Sequence, residues 1–277
     1  MKRKNSIWAN LYIALFMLLL YLPILVVVVF SFNANTTRTA TMTFTGFSLQ
    51  WYKNLFDPIS GFGVHLVTSL EVAFWSVLFS CVMGTIGAVG LLHRKKQKSL
   101  SGRSLERFIN FGEQAAMLPI MIPELIMGIA LLALFSFLRL PMGKITLVIA
   151  HTSFCIPYIL ITVKSRLSTL DPSIEEAARD LGASPIRAFL TVTLPLAAPA
   201  VLSGCLLAFA MSMDDFVISF FVNGAETTTL PLKVYSSVKV GVTPQVNALC
   251  TVMLGAAFLL VAMGQLLSSA RGKEKKI

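Results

Sequence analysis

Four acidic residues lie inside long apolar stretches, where an ionisable side chain is unusual. Glu71 is near the outer end of its stretch, 66–92, and the other three are at membrane depth. Asp214 and Asp215 stand together in the stretch 196–222, and Glu124 lies in the stretch 115–138. A charge at membrane depth is costly, so such residues mark ion or substrate pathways by default. Neither stretch contains a lysine or an arginine, so the acids have no basic partner of that kind in their own stretch. This pattern favours the passage of a cation.

The residues around these acids fit the same interpretation. Ser212 adds a hydroxyl two positions before Asp214, and aromatic rings nearby can attract a cation through their faces. These rings belong to Phe216, Phe220 and Tyr158. Successive helical positions lie about 100° apart, so neighbouring aspartates cannot point the same way. Two alternatives stay open. One or two of the acids could be protonated, or they could pair with another subunit.

Groups for catalysis or metal binding are not assembled in this sequence. It has no H-E-x-x-H helix and no Ser/His/Asp set, and its three histidines are scattered. The four cysteines lie in apolar stretches without metal-ligand spacing, which indicates neither disulfides nor zinc. Gly143-Lys144 lacks the earlier glycine of a phosphate-binding loop. We therefore expect no enzyme activity, no metal and no cofactor in this chain.

The elements that position these residues are apolar spans of membrane-crossing length. The chain is 56% hydrophobic and only 13% charged, whereas soluble domains carry about 25% charged residues. Each span is close to the roughly 20 residues that cross a bilayer as a helix. The spans are 11–32, 66–92, 115–138, 145–163, 196–222 and 247–267. We expect an all-α membrane protein with six transmembrane helices in one domain, the first of them an uncleaved helix rather than a signal peptide.

The basic residues predict the orientation of these helices. Of the 23 lysines and arginines, 17 fall on the side of the two termini. Three of them lie at 2–4, six between 94 and 107, four between 164 and 187, and four between 271 and 276. The positive-inside rule therefore places both termini in the cytoplasm. Because the net charge of +10 is a topology signal, we expect membrane lipid as a partner and no nucleic acid.

The cytoplasmic loop at 164–195 has the signals of a short, well-defined helix. Pro172 suits a first helical turn, and Ser173 with Glu176 predicts a capping box. Gly182 suits a left-handed stop at the end of the same helix. The loop is therefore more ordered than a plain connection between two membrane helices needs to be.

A second short helix is predicted directly after the glycine. Ser184-Pro185 opens it, and we expect it to end near Leu194-Pro195, where the fifth span begins. Two short helices with a glycine joint make a rigid projection on the cytoplasmic face.

The projection carries a spaced motif. Glu176-Ala177-Ala178 is followed after three residues by Gly182 and after nine more by Val192-x-Leu194-Pro195. This closely resembles the EAA loop of ABC-importer permeases, E-A-A-x3-G-x9-I-x-L-P, with valine replacing isoleucine. The resemblance implies a type I ABC-importer permease fold and a coupling helix that docks in a groove of a separate ATPase subunit. The coupling residues would be Glu176, Ala177, Ala178, Gly182, Leu194 and Pro195.

Most of the chain resembles, more specifically, the permeases of spermidine/putrescine importers. The stretches that carry this resemblance are 30–33, 51–52, 165–167, the EAA loop, 212–215, 230–235 and 246–249. It implies a multi-pass protein of the bacterial inner membrane with a second permease, a homodimeric ATPase and a periplasmic polyamine-binding protein. Trp51 would then lie on a loop facing the binding protein and the substrate path, although an aromatic-belt position fits it equally.

Other functions remain as alternatives. Within the importer interpretation, the cargo could instead be another organic cation, an amino acid or an anion, although an anion would need basic residues in the path. An ion-coupled secondary transporter would use the buried acids as ion sites, but such a carrier needs no ATPase dock. A membrane-embedded enzyme lacks the residues noted above. Spermidine and putrescine are not separated by any feature of the sequence.

Overall fold

The computed structural model is helical, and its helices fall into two units. It describes the backbone at 7–35, 43–57, 61–96 and 103–274, and side chains at 8–35, 43–57, 61–92, 111–171 and 173–259. The first unit combines Met1–Val64 with Lys233–Ile277, and the second is His65–Leu232. Within the described ranges no strand forms, and an isolated bridge joins Asn33 to Phe47.

The helices follow the apolar spans, with further short helices between them. They are α1 (Ile7–Phe30), α2 (Gln50–Asn54), α3 (Gly63–Lys96), α4 (Arg103–Met121), α5 (Glu124–Phe137), α6 (Lys144–Ser168), α7 (Pro172–Asp180), α8 (Pro185–Ala188), α9 (Leu194–Asp214), α10 (Val217–Val222), α11 (Leu230–Val240) and α12 (Pro244–Glu274), with a π-helical turn at Phe189–Thr193.

The number of crossings stays a prediction. Four helices in the described part of the chain are long and apolar enough to cross a membrane: α1, α3, α6 and the helix that ends with α9. The pair α4 and α5 makes a fifth if it forms one bent span. In α12 the described apolar part is the shorter Pro244–Leu259. Six crossings therefore remain the expectation from the sequence.

In the first unit, α1 and α2 both contact α12, and one tryptophan is fixed beside them. The Trp51 indole N–H donates to the Asn33 carbonyl at 3.0 Å, and the Trp51 side chain is only 8% exposed. The Asn33 side-chain N–H in turn donates to the Thr43 carbonyl, and the Asn33 side-chain oxygen accepts from the Thr45 backbone amide, both at 2.9 Å. Trp51 is therefore an interior anchor of its unit. Whether the loop that bears it faces a binding protein stays a prediction.

In the second unit, the core is built around α6. Its buried residues recur every three or four positions, which gives one apolar stripe along the helix. This stripe packs on α9, where Gly204 permits close approach because a Cβ there would lie 3.2 Å from the Ile159 Cα. Helix α5 packs on α10 at a second glycine, Gly128, which lies against the Phe221 ring. These two contacts set the positions of the broken helices described next.

Two of the apolar spans are broken. Between α4 and α5 the chain bends by 112°, because Pro123 has no N–H to donate and disfavours helical geometry in the residue before it. The stretch 196–222 is likewise interrupted between α9 and α10, where Asp215 has an extended ψ of 120°. The spans 115–138 and 196–222 are therefore each divided between two helices.

Candidate functional site

Helix α7 begins at an aspartate. The Asp171 carboxylate accepts a hydrogen bond from the Ser173 amide at 2.9 Å, and Pro172 occupies the first helical turn. The predicted capping box of Ser173 with Glu176 is therefore wrong, since Asp171 already caps the helix and Ser173 lies inside its first turn. Because aspartate is among the preferred N-cap residues, the helix starts two residues earlier than the capping box implied.

The glycine that ends α7 adopts the predicted left-handed conformation. Gly182 has a φ of +89°, and its amide donates to the Arg179 carbonyl at 2.9 Å. The next amide, of Ala183, donates to the Ala178 carbonyl at 3.1 Å. Together these bonds form a Schellman motif, which satisfies the last carbonyls of the helix. The stop at Gly182 is confirmed.

The chain after this stop runs without interruption into the membrane. Helix α8, the π-helical turn and α9 form one helix, Pro185–Asp214, of 30 residues. The expected end of the second short helix at Leu194-Pro195 is wrong, because the π-helical turn carries the helix past Pro195, which has no N–H to donate. The segment after Gly182 is therefore joined to α9 by continuous helix.

Two adjacent glutamates of α7 face different surroundings. Glu175 accepts a hydrogen bond from the Thr193 hydroxyl at 3.1 Å, which ties α7 to the π-helical turn. Glu176 and Ala177 are exposed. Leu181 and Ile186 are also exposed, by 91% and 73%. The exposed surface of the loop therefore presents small and apolar side chains beside Glu176, and Glu175 ties α7 to the π-helical turn.

A cavity of about 160 Å³ opens where the two broken spans meet. Its wall includes Asp214 and Glu124, with the aromatic side chains of Phe154, Tyr158 and Phe216. Both acids are exposed, and among the described residues neither has a hydrogen bond or an ion pair. Irregular backbone at membrane depth is tolerated where it lines a cavity, and transporters place substrate sites at such discontinuous helices.

The helix ends add to the electrostatics of this cavity. Asp214 is the last residue of α9, so its carboxylate lies at the negative end of the helix dipole. The carboxylate and the dipole end both favour a cation at this position. Glu124 is the first residue of α5, at the positive end of that helix dipole. Two acids and three aromatic faces can thus bind a cation.

Beneath the cavity wall, Asp215 is held in a buried network. Its carboxylate accepts from the Ser219 amide and hydroxyl, both at 2.8 Å, and from the Ile218 amide at 3.2 Å. It also lies 3.3 Å from the His151 Nε2, with side-chain exposures of 1% for His151 and 5% for Asp215. The other ring nitrogen of His151 is 2.8 Å from the Ser212 hydroxyl. The network therefore joins α6, α9 and α10, and Asp215 caps α10.

These contacts separate the five residues predicted for the substrate path. Asp214 and Glu124 come together at the cavity, as the sequence suggested. Asp215 also lines it, but its carboxylate is bonded inside the chain to Ser219 and lies beside His151 of another span. Ser212 is buried against His151 rather than in the cavity wall, and Trp51 is buried in the other unit.

The loop and the broken spans lie in a region that matches a known protein family. The model of the binding-protein-dependent transport system inner membrane component matches residues 88–271. The chain belongs to this family. Such permeases are the membrane subunits of ABC importers, and they work with an ATPase and a binding protein. The exposed motif at Glu176–Gly182 lies inside the matched region.

Curated relatives of this permease cover most of its length. It is 40% identical over 225 residues to a spermidine/putrescine transport system permease protein, PotC, of Haemophilus influenzae, covering 80% of this chain and 82% of the relative. It is also 40% identical over 219 residues to the putrescine transport system permease protein PotI of Escherichia coli, covering 76% and 74%. PotC of E. coli is 39% identical over 232 residues, covering 83% and 82%.

Solved structures of ABC importers share the fold. A chain of a bacterial ABC transporter involved in the import of the acidic polysaccharide alginate has a TM-score of 0.68 at 16% identity, with 97% of this chain and 98% of that chain covered. A chain of the inward-facing MetNI methionine transporter has a TM-score of 0.61 at 18% identity, with 78% and 95% covered. These likenesses show the all-helical ABC-importer permease fold.

His151 is the functional candidate that the sequence reasoning missed. Its position inside the span 145–163 was a sufficient signal, because the rule that drew attention to the acids applies to every ionisable residue at membrane depth. A histidine in one span and an aspartate in another form a pair that no motif within a single span reveals.

Proposed function

We propose that this chain is one of two permease subunits of a bacterial inner-membrane importer that carries polyamine cations such as spermidine and putrescine. In this proposal it crosses the membrane six times with both termini in the cytoplasm. It works with a second permease, a homodimeric ATPase and a periplasmic polyamine-binding protein.

The cavity between the broken spans carries this proposal. A polyamine is a flexible chain with several positive charges, and its recognition calls for separated acids with apolar or aromatic surface between them. Asp214 and Glu124 supply such acids, and Tyr158 and Phe216 supply aromatic faces. The names of the 39–40% identical relatives support the same cargo.

The ATPase coupling in this proposal is assigned to α7. Glu176, Ala177 and Ala178 would contact the ATPase, with Gly182 fixing the turn that follows. Leu194 and Pro195 would then pass the motion on through the continuous helix into α9, whose last residue is Asp214. This arrangement connects the ATPase dock to the cavity by one helix.

Uptake of radiolabelled putrescine and spermidine tests the proposal in cells deleted for this chain and for any redundant polyamine system. Restoring the chain is expected to restore uptake, and the double variant Asp214→Asn with Glu124→Gln is expected to lower it at least about tenfold. That loss is about 1.4 kcal/mol of cation stabilisation. The matched control Glu226→Gln removes an exposed acid outside the cavity and is expected to transport normally.

Two results would contradict parts of the proposal. Full uptake in the deleted cells would show that polyamines are not the cargo of this chain, and the permease assignment would still hold. Uptake that persists when ATP is depleted but collapses with the ion gradient would favour a secondary transporter.

A further inference from the structure

An apolar groove of about 640 Å³ lies along α3 and α6, apart from the acidic cavity. Its wall includes Trp75, Phe79 and Met83 from α3 and Val148 and Ile156 from α6. The rings of Trp75 and Phe79 are stacked with centroids 6.1 Å apart. This volume is in the range of pockets that hold small apolar ligands.

One end of the groove carries an ion pair. The Lys144 Nζ lies 2.6 Å from the Glu71 Oε2, and the two side chains are 54% and 46% exposed. Both residues line the groove, Lys144 as the first residue of α6. An apolar groove with one positive and one negative charge at its mouth has the polarity of a lipid with a charged headgroup.

The length of the groove distinguishes a lipid chain from a membrane helix. Met83 lies twelve residues after Glu71, and Ile156 lies twelve residues after Lys144. At 1.5 Å per residue each wall extends about 18 Å, a little more than half of the roughly 30 Å hydrocarbon core. The groove is therefore about one leaflet deep, which suits an acyl chain, whereas a helix from another subunit would need a groove across the whole core.

The charge pair also selects the type of headgroup. The Lys144 ammonium has three donors and the Glu71 carboxylate has several acceptor positions, so each retains capacity beyond their mutual bond. A phosphate beside Lys144 and an ammonium beside Glu71 would extend the pair with alternating charges. An anionic headgroup would meet the like charge of Glu71, and a choline headgroup has no N–H to donate.

We propose that this groove is a binding site for one phospholipid with a phosphate–ammonium headgroup, phosphatidylethanolamine, whose acyl chain lies against Trp75. In the proposed orientation the headgroup is in the outer leaflet. The site is independent of the cargo and of the ATPase dock.

Quenching of Trp75 fluorescence by brominated acyl chains tests the site. The full-length chain, assembled with its partner subunits and carrying Trp8→Phe, is placed in phosphatidylcholine vesicles. These contain equal mole fractions of brominated phosphatidylethanolamine, phosphatidylglycerol or phosphatidylcholine. The same assembly carrying Trp75→Phe gives the background from Trp51 and from the partner subunits, and this background is subtracted. We expect phosphatidylethanolamine to bind about two- to fivefold more tightly than the other two lipids, the size of an exposed charge-pair contribution.

Variants of the charge pair decide whether the headgroup is recognised. Glu71→Gln is expected to transfer the preference to phosphatidylglycerol, and Lys144→Gln is expected to abolish the preference among the three lipids. Glu113→Gln removes the acid of another ion pair, with Lys164, and is expected to retain the wild-type preference. Equal quenching by all three lipids in the protein with Glu71 and Lys144 intact would overturn the proposal. An absence of Trp75 quenching in the assembled importer would also overturn it, since a protein helix would then fill the groove.

Discussion

Replacing Asp215 by alanine removes one carboxylate from the buried network between α6, α9 and α10. It leaves the Ser219 amide and hydroxyl, the Ile218 amide and the His151 ring nitrogen without their acceptor. Removing one partner of a buried pair costs about 3–5 kcal/mol in soluble proteins, whereas interhelical hydrogen bonds in membranes average about 0.6 kcal/mol each. Because four buried groups are left without this acceptor, we expect Asp215→Ala to destabilise the fold by about 2–4 kcal/mol.

The neighbouring aspartate is the matched control. Asp214 is exposed at the cavity, so Asp214→Ala is expected to change stability by less than about 0.5 kcal/mol while lowering polyamine uptake. Thermal unfolding of the purified chain in detergent measures the contrast. Asp215→Ala is expected to lower Tm by about 5–10 °C and Asp214→Ala by about 2 °C or less, at roughly 2–4 °C per kcal/mol.

A double-mutant cycle shows whether the pair with His151 causes the loss of stability. After Asp215→Ala, the further change His151→Ala is expected to cost much less than it does alone, with a coupling of about 1 kcal/mol or more. Equal Tm values for the two aspartate variants would refute the assignment of Asp215 to the fold and Asp214 to the path. Strict additivity with His151 would refute the network.

Three further predictions concern the loop and the helix contacts. Gly182→Val is expected to lower ATP-driven uptake, because a branched side chain at φ +89° costs about 1–2 kcal/mol. Gly182→Asn is expected to retain uptake. Equal uptake by both variants would contradict the need for a left-handed turn at this position. Glu176→Ala is expected to reduce co-purification of the ATPase. Thr193→Val removes the hydrogen bond to Glu175. This second variant is expected to retain the ATPase but to weaken the stimulation of ATP hydrolysis by loaded binding protein. Gly128→Ala places a Cβ 2.6 Å from the Phe221 ring and is expected to lower stability by about 1–3 kcal/mol. An unchanged Tm, or a Tm that the further change Phe221→Leu does not restore, would contradict the close packing of Gly128 on Phe221.

Local chemistry made the loop at 164–195 predictable from the sequence. A proline at the start and a glycine at the end bracket α7, and both act through backbone geometry that depends little on the rest of the chain. The N-cap was misplaced because Asp171 and Ser173 are both good caps, and only the path of the chain decides between them. The spacing of Glu176, Gly182 and Pro195 then indicated the family.

The break in each of two spans depends on contacts that a linear sequence does not display. Pro123 signals weak helix locally, but the 112° bend also reflects the packing of α5 on α10. At Asp215 no proline or glycine marks the break. The chain leaves helical geometry there because His151 and Ser219 satisfy the carboxylate, and His151 is 64 residues away in the sequence.

Transport by the reconstituted importer tests the central claim most directly. Proteoliposomes would contain this chain, its partner permease and the ATPase, with binding protein and labelled putrescine or spermidine outside and ATP inside. The proposal predicts uptake that requires ATP and binding protein, that is lost in Asp214→Asn with Glu124→Gln, and that is retained in Glu226→Gln. Polyamine uptake unaffected by the loss of both cavity acids would contradict the path, and ATP-driven uptake of a different cargo with no polyamine uptake would contradict the function.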